Sequence, residues 1–491
     1  MGALGCTATD PPPQDAGSDA STDLGTHLGT DLGSDPGPPP PPVDAGPPPP
    51  RWPRTLPPAA TMAPGDTGAR WLRTIVHAHS VHSHDACDGN PYVDGGPNEP
   101  CLQSFRRALC DTRVDVVFLT EHAERIALVP FETVMQQRDG DEPIVEDGSL
   151  VGYYIGCPGG HRVMLLPGAE NELMPLGLRR HPDLREGSLN RAYHHDGPDG
   201  ARRFREAGAL VAVAHCEQRT RAELDAIAPD VIEIYNIHAN LDPRIAGVAL
   251  GLDLGPLLSD TIAFSQRPRG LDPDWMFLAI FRENHVDLAH WAAFAARGQR
   301  VAGIAASDAH ENSFPGIFPD GERGDSYRRI FRWFSNAVRV TGAVTRESVM
   351  EALAAGRVHA VFEAYGTPVG FSLTARSGGA TGGMAEVHHV GDSVALGAGV
   401  VLRVGVPTVH ALDPALPSPA VRVRLLRAES DGRWTEVAAG SEALTYTVST
   451  AGAYRAEALI TPNHARPYIP RFERLVREVP WVYSNVLRVT E

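Results

Sequence analysis

The chain has 491 residues, and because a single domain usually holds roughly 100 to 200 residues, more than one domain is expected. Its formal net charge of -16 argues against binding of bulk nucleic acid, which requires a basic surface. An apolar run of about 18 residues is absent from the sequence, so a membrane-spanning helix is not predicted.

Residues 1–66 are predicted to form a disordered tether. They contain proline blocks and a DLGTHLGTDLGSD near-repeat, with few apolar side chains that could form a core. The opening MGALGC is similar to the cleavage site of a bacterial lipoprotein signal, but the charged and apolar segments of such a signal do not precede it. A lipidated Cys6 would attach the tether to a membrane. We therefore expect an exported protein, anchored at the bacterial cell envelope, with a cytoplasmic protein as the alternative.

Cysteine usage is consistent with export. Cys87, Cys101, Cys110 and Cys157 could form two disulfide bonds in an oxidising compartment, although the sequence does not define their pairing. Cys216 follows a candidate metal-binding histidine and is expected to be free.

Residues 67–365 alternate between helical and strand patterns. Apolar residues recur at helical spacing in 102–109, 201–207 and 221–227, and Val/Ile-rich strands are predicted at 114–119, 210–214, 231–235 and 301–306. Helices followed by short strands of this kind predict a parallel sheet. Each predicted strand ends in a polar residue, as in βα barrels, which place their active sites at the carboxyl ends of the strands. We therefore predict an α/β barrel.

Residues 366–491 are predicted to form a separate all-β domain. Short strands at 400–406, 420–426 and 454–460 are separated by clusters of Gly, Pro and Ser. This pattern favours a β-sandwich, which could contact a glycan or a protein partner.

The first candidate metal ligands lie in the segment HAHSVHSHDACDG, residues 77–89. His77 and His79 project from the same side of a strand because side chains alternate with a period of two, so both imidazoles can bind one ion. The next strand ends in Glu121 and His122. Histidine is a common metal ligand, and its position after a strand repeats that of the first pair.

Three later segments carry the same residue types. Glu170 and Glu172 follow a strand, and either could bridge two cations or favour the start of a helix. His215 follows strand 210–214, and Asp308 and His310 follow strand 301–306 with the spacing of the first pair. Imidazole and carboxylate ligands suit zinc, manganese or iron better than calcium or magnesium alone. We predict a metal centre built from strand ends.

The order of the motifs HxHS, TEH, GAE, AHC and SDAH resembles the PHP family, the polymerase and histidinol phosphatase domain. The resemblance implies a distorted (βα)7 barrel that hydrolyses phosphomonoesters or phosphodiesters with a metal-bound hydroxide at a site of two or three divalent ions. It implies catalytic roles for Asp308, His310 and Glu170, with Glu170 as the bridge. The ligands that it implies are His77, His79, Asp85, His122, Glu170, His181, His215, Asp308 and His310.

Two of these ligand positions have alternatives. The spacing from the first pair favours Asp85 over His84. His181 is favoured over His194 and His195 because it is nearest in sequence to the bridging glutamate.

The substrate is less well defined than the metal centre. Asn236 follows strand 231–235 and Arg180 could meet a phosphate group, so both are candidate substrate contacts. Cys216 stands where the family usually has proline, which leaves substrate identity open. A small phosphorylated substrate is compatible with an acidic chain because metal ions hold a phosphate group locally. Two other functions are compatible with the sequence. The protein could hydrolyse amides or other esters, or it could be a surface-anchored binding protein with an inactive barrel.

Overall fold

The computed structural model describes residues 51–183, 188–266, 270–377 and 386–491. The predicted lipidation site Cys6 and the tether up to residue 50 lie outside the described residues. All described residues belong to one compact unit, which includes residues 51–66 of the predicted tether. Trp52 and Met62 of that segment are buried. Among the described residues, no helix combines the length and apolarity that a membrane crossing requires.

The strands are short and occur throughout the described chain. They are β1 Arg70–Ala78, β2 Tyr92–Val93, β3 Gly96–Pro97, β4 Val116–Leu119, β5 Glu142–Glu146, β6 Ser149–Gly156, β7 Arg162–Pro167, β8 Met174–Leu176, β9 Leu210–Val213, β10 Val231–Asn236, β11 Ala302–Ala306, β12 Ser335–Val340, β13 Val358–Val361, β14 Pro368–Val369, β15 Ser372–Ser377, β16 Glu386–His389, β17 Ser393–Ala395, β18 Val401–Gly405, β19 Thr408–Val409, β20 Ala420–Ala428, β21 Trp434–Gly440, β22 Leu444–Thr447, β23 Gly452–Thr461, β24 Val479–Ser484 and β25 Leu487–Thr490.

The α-helices precede the last thirteen of these strands. They are α1 Ala86–Gly89, α2 Glu99–Asp111, α3 Ala123–Ile126, α4 Leu189–Tyr193, α5 Gly197–Glu206, α6 Arg221–Ile227, α7 Ile237–Leu241, α8 Leu254–Ala263, α9 Phe277–Ile280, α10 His285–Ala296, α11 Tyr327–Trp333 and α12 Arg346–Ala355.

Local sequence explains several of these elements. The Asn98 side chain caps α2 by accepting a hydrogen bond from the Cys101 backbone, and α2 buries an apolar face that includes Phe105. A capping box formed by Thr220 and Glu223 starts α6. The strand β10 is buried along its whole length, as expected for a central parallel strand rich in β-branched residues.

The largest sheet contains strands from both predicted domains. Its strands lie in the order β17-β25-β23-β24-β13-β12-β1-β4-β7-β6-β5, and β20 pairs with β21 and β23. The strands β1, β4 and β7 are parallel, whereas β1, β12, β13 and β24 are successive antiparallel neighbours. The sheet thus continues across residue 366.

A second sheet has the order β11-β10-β9-β8, in which β9, β10 and β11 are parallel. Isolated bridges connect Ala78 with Ala309 and Gly168 with Leu176, and so link this sheet to the ends of β1 and β7. These connections bring the carboxyl ends of parallel strands from both sheets together.

The mixed α/β architecture is confirmed. The strands predicted at 114–119, 210–214, 231–235 and 301–306 correspond to β4, β9, β10 and β11, and the predicted helices correspond to α2, α5 and α6. The closed seven-stranded barrel, the β-sandwich and the domain boundary at residue 366 stay predictions.

The cysteines pair as Cys87 with Cys101 and Cys110 with Cys157. Cys216 is buried and free, and its thiol donates a hydrogen bond to the Val213 carbonyl. Two disulfide bonds and one free thiol were expected, and the structure adds the pairing.

Candidate metal centre

The candidate ligands lie at the carboxyl ends of parallel strands. They are His77 and His79 at the end of β1, His122 after β4, Glu170 after β7, His215 after β9, and Asp308 and His310 after β11. Parallel strands present their carboxyl ends at one edge of a sheet, so residues distant in sequence can share one site. A parallel bridge between His122 and Glu170 fixes two of these strand ends directly.

Three of these residues have a left-handed backbone, with φ of 62° at His77, 50° at His215 and 46° at Asp308. This conformation is uncommon for residues other than glycine and tends to occur at functional sites. The Asp308 backbone donates a hydrogen bond to the His77 carbonyl, and so does the Ser307 hydroxyl. These bonds hold the two strand ends together in their strained conformation.

Glu170 and Asp308 form the acidic middle of the site. The Nε2 atom of His77 lies 3.1 Å from Asp308 Oδ1 and 3.6 Å from Glu170 Oε1. The Nε2 atom of His215 lies 3.4 Å from Glu170 Oε1 and 3.6 Å from Asp308 Oδ2. Each carboxylate therefore faces more than one imidazole, which suits a ligand shared between two cations.

A second group of side chains adjoins this middle. The rings of His79 and His310 stack with their centroids 3.8 Å apart. The Oδ1 atom of Asp85 lies 3.3 Å from His122 Nε2 and 3.4 Å from His310 Nε2. The Nδ1 atom of His122 is 3.1 Å from Glu170 Oε2, so Glu170 connects the two halves of the site.

Five sets of three side chains could each hold a metal ion, because their ligand atoms lie within 4.8 Å of one another. The sets are His79, His122 and His310; His77, Glu170 and His215; His77, His79 and Asp308; His84, Asp85 and His122; and His215, His238 and Asp308. Asp85 and His84, the two alternatives for one ligand position in the sequence, thus occur together in one set.

His238 was missed by the sequence analysis. It lies in α7, directly after β10, and its Nδ1 atom is 3.0 Å from Asp308 Oδ2. Its side chain is 45% exposed, whereas that of Asp308 is 3% exposed, so His238 lies at the rim of the site. Its position after a buried strand, which His122 and His215 share, was the available signal, but His238 lacks the second ligand two residues away that marks the His77 and Asp308 pairs.

The residues present fit divalent metal ions. The Nε2 atoms of His77, His79 and His310 and the Oδ1 atom of Asp85 are buried without a hydrogen-bond partner. An unsatisfied buried polar group costs about 1 to 3 kcal/mol, so four at one place indicate a missing ligand. Imidazole nitrogens and carboxylate oxygens are suitable ligands for zinc, manganese and iron.

Glu233 orients His77. The Nδ1 atom of His77 lies 2.5 Å from Glu233 Oε1, and the other oxygen of Glu233 accepts hydrogen bonds from the His215 backbone and the Asn236 side chain, both at 2.9 Å. A proton on Nδ1 leaves the Nε2 lone pair of His77 free for a cation. Sequence analysis missed this role, because Glu233 lies in the interior of β10 and not at its end.

Ser83 and Glu121 support His79 in the same way. The Nδ1 atom of His79 is 2.8 Å from the Ser83 hydroxyl, which donates to Glu121 at 2.6 Å. Glu121 is buried and also accepts a hydrogen bond from the Ser80 backbone. The glutamate of the TEH motif therefore fixes a ligand and is not itself in any of the five sets.

Electrostatic interactions in the site oppose the effect of burial. Burial disfavours the charged imidazole of His122, but the adjacent carboxylates of Asp85 and Glu170 raise its pKa to about 11. Burial likewise opposes protonation of His77, and the carboxylates, first of all Asp308, nevertheless raise its pKa well above the ordinary value. Cations would have to displace these protons, so metal affinity should increase with pH.

Three predicted ligand candidates lie apart from these sets. The Nδ1 atom of His181 is 2.8 Å from the Tyr193 hydroxyl, and its Nε2 atom is 3.0 Å from the Val129 carbonyl. His194 and His195 also belong to none of the five sets. Both ring nitrogens of His181 have partners without a metal ion, and its role as a ligand stays a prediction.

The two predicted substrate contacts have other partners. The side chain of Asn236 accepts a hydrogen bond from the His238 backbone at 2.7 Å and donates to Glu233. Arg180 is exposed and pairs with Asp183 and with the Glu206 carbonyl. Asn236 thus starts α7 and orients Glu233, and substrate contact by either residue stays a prediction.

A structural neighbour among the solved structures resembles part of this fold at low similarity. No protein-family model matches the chain, and no curated protein matches it. The neighbour is a crystal structure of a two-domain protein containing a predicted PHP-like metal-dependent phosphoesterase from Bacteroides vulgatus ATCC 8482. The two are 13% identical, the match covers 88% of this chain and 98% of the other, and the TM-score is 0.34.

Proposed function

We propose that this protein is a metal-dependent hydrolase that cleaves phosphate esters, with two or three divalent ions held at the ends of the parallel strands. The observation that carries the proposal is the set of buried imidazole nitrogens left without partners around Glu170 and Asp308. The motif order that resembles the PHP family supports the same reaction, and with it the closed barrel.

The side chains of the site have distinct roles in this reaction. His77, His79, His122, His215 and His310 would bind the ions together with Glu170, Asp308 and Asp85, and His238 would join them at the rim. Glu233 and Ser83 hold the rings of His77 and His79 so that their Nε2 atoms face the centre. Bound divalent ions supply two kinds of chemistry, a lowered pKa of water and an offset to charge on the phosphoryl oxygens.

The test combines metal content with activity. We expect two or three ions per chain by plasma mass spectrometry, and hydrolysis of an aryl phosphate monoester or diester. The variant His77→Ala/His79→Ala should lose metal and hydrolyse no faster than the buffer blank. The matched control His388→Ala/His389→Ala removes a histidine pair from β16, outside the five sets, and should keep both properties.

The same experiment distinguishes the other functions. A panel of amides and carboxylate esters accompanies the phosphate esters, because a dinuclear site can also attack those bonds. Metal binding with cleavage of amides alone would replace the phosphatase proposal by an amidase. A wild-type protein without stoichiometric metal would disprove the ligand assignment.

Export is part of the proposal. Disulfide bonds persist in oxidising compartments, and the Cys87–Cys101 and Cys110–Cys157 pairs support a location outside the cytoplasm. Alkylation of denatured, unreduced protein from the native host should label Cys216 and leave these four cysteines unlabelled. Labelling of all five would instead support the cytoplasmic alternative.

A further inference from the structure

A cleft of about 90 Å³ opens beside the candidate metal centre. Asp85, His238, Asp308 and His310 line the cleft and are also among the candidate ligands. A phosphate group held by ions at these residues would therefore direct its ester substituent into the cleft or along its wall.

One wall of the cleft is apolar. It is formed by Ile237 and Leu241 of α7, Ile330 and Trp333 of α11, and Phe314. The indole N–H of Trp333 already donates to the Asp274 carbonyl at 2.8 Å, so the ring offers a ligand only apolar surface. Burial of apolar substituents against such a wall is favourable by about 25 cal/mol per Å².

Besides the candidate ligands, the polar residues that line the cleft are Asn312, Ser313 and two carboxylates, and the carboxylates make their hydrogen bonds within the protein. Glu311 accepts hydrogen bonds from the Ser104 hydroxyl at 2.8 Å and the Tyr327 backbone at 3.1 Å. Asp325 accepts from the backbones of Ser313 and Phe314 at 2.6 and 2.9 Å and also pairs with Arg323, whose Nε atom lies 2.8 Å from its Oδ1 atom. Among the described residues, no arginine lines the cleft, and the chain contains no lysine. The cleft therefore lacks a cationic side chain for a second anionic group.

We infer that the substrate is a phosphate ester of a small, uncharged and largely apolar alcohol or phenol, an inference that rests on the proposed phosphoesterase function. Nucleotides, sugar bisphosphates and other esters with further negative charge are disfavoured by Glu311, and the guanidinium of Arg323 is already paired with Asp325 and Asp88. In the reaction, the oxygen of water bonds to phosphorus as the bond from phosphorus to the ester oxygen breaks. The electron pair of that bond stays on the ester oxygen, which takes a proton from the attacking water and leaves as the alcohol.

The test uses alkyl phosphates whose leaving groups have similar acidity. For the metal-loaded protein, kcat/KM should increase about 4-fold per methylene from ethyl to butyl phosphate, because each buried CH₂ contributes about 0.8 kcal/mol. The increase in kcat/KM should stop when the alkyl group of the substrate fills the cleft. A butyl phosphate that carries a terminal carboxylate should react at least roughly 10-fold more slowly than butyl phosphate, because like charges are brought together.

Variants connect this preference to the cleft. Leu241 is only partly buried, so Leu241→Arg should fold, and it should reverse the preference in favour of the carboxylate ester. The control Leu258→Ala changes a leucine of α8 that is 40% exposed and does not line the cleft, and it should keep the wild-type series.

The outcomes separate the two proposals. Equal kcat/KM values from ethyl to butyl phosphate, or faster cleavage of the carboxylate ester by wild type, would overturn the apolar substrate class but not the phosphoesterase proposal. Hydrolysis of none of the phosphate esters by metal-loaded protein would overturn both. These comparisons use wild type alone and hold even if the Leu241 variant does not fold.

Discussion

Two clusters of buried charge in the folded unit differ in how completely their atoms are paired. In the arginine cluster, defined here as Arg328 and Arg329 with Asp274, Asp320 and Glu322, the Asp274 carboxylate accepts from Arg328 and Arg329, each at 2.6 Å. Arg328 also donates to Glu322 and Arg329 to Asp320, both at 2.9 Å. Arg54 also pairs with Asp320 and Glu322, so three guanidinium groups face three carboxylates and the charges of the cluster are satisfied.

The inner residues of the candidate metal centre, among them His77, His79 and Asp308, are also buried, but their cluster is incomplete. Its carboxylates have imidazole partners, yet the Nε2 atoms of His77, His79 and His310 have no hydrogen-bond partner. A fully paired cluster can stabilise the fold by itself, whereas unpaired buried atoms destabilise the folded state until a ligand binds to them. Several unpaired ligand atoms of histidine and aspartate at one place, and not burial or charge alone, therefore mark the functional cluster.

The largest effect is expected from Asp274→Asn in the arginine cluster. The substitution keeps the shape of the side chain but leaves buried guanidinium groups without their shared countercharge. Breaking a buried ion pair on one side costs about 3 to 5 kcal/mol, so the free energy of unfolding should fall by that amount in urea titrations. Metal content per folded chain should stay at the wild-type value, because the arginine cluster satisfies itself.

The matched control is Asp431→Asn, which removes one side of the exposed pair between Arg433 and Asp431, 2.6 Å apart. Exposed pairs contribute little, so the urea midpoint should not change. Equal urea midpoints for Asp274→Asn and wild type would show that the buried arginine cluster does not stabilise the fold.

A smaller effect is expected from Glu233→Gln, which acts on the metal centre through His77. The His215 backbone needs an acceptor, so the new amide would turn its NH₂ toward His77 Nδ1. His77 would then accept at Nδ1 and carry its proton on Nε2, where a cation needs a lone pair. We expect metal affinity to fall about 10- to 100-fold, measured by competition with a chromogenic chelator.

The control for this change is Glu347→Gln, an exposed glutamate in the first turn of α12. It should bind metal as wild type does. Unchanged affinity in Glu233→Gln would mean that His77 is not a ligand or that its tautomer is not set by Glu233.

The sequence was sufficient for the parts of the site that are local in the chain. The pairs His77 with His79 and Asp308 with His310 are spaced by two at predicted strand ends, and the structure brings both pairs to one place. The strands themselves were predictable because β4, β9, β10 and β11 are short apolar runs, which only a buried sheet accommodates.

The rest depends on contacts between distant segments. His238 was missed because a single histidine in a short helix has no pattern, and only the fold places it 3.0 Å from Asp308. The second ring nitrogen of His181 faces the carbonyl of Val129, 52 residues away, which spacing alone does not reveal. Likewise Arg328 lies in α11, and its partner Asp274 lies 54 residues earlier, a pairing that only the fold reveals.

The smallest effect concerns His464, a buried histidine that belongs to neither cluster. Its Nε2 atom lies 2.9 Å from the Tyr365 carbonyl, its Nδ1 atom has no partner, and its ring lies 5.4 Å from those of Trp52 and Trp275. Carboxylates raise the pKa of His77 and His122 in the metal centre, whereas burial lowers the pKa of His464 to about 4. The pKa of His79 in the site is also lowered, so the absence of a neighbouring carboxylate, and not the direction of the shift, distinguishes His464.

The sign of the stability effect follows from this shift. Above about pH 6.5 His464 is neutral in both the folded and the unfolded chain, and its contribution is fully present. As the pH falls below that value, the unfolded chain binds the proton first, so stability is lost progressively toward pH 4. Between about pH 7 and about pH 5.5 the loss that His464 contributes should be about 1 kcal/mol. Urea titrations with a chelator present, which removes any contribution from bound metal, measure the change in the free energy of unfolding over this range. The change should be the same in wild type and in the exposed control His410→Gln, and His464→Gln should lose about 1 kcal/mol less than either, because the other histidines contribute alike to all three proteins. An equal loss of unfolding free energy in all three proteins would mean that the ring of His464 accepts a proton within the fold. The absence of neighbouring carboxylates would then no longer distinguish His464 from the histidines of the metal centre.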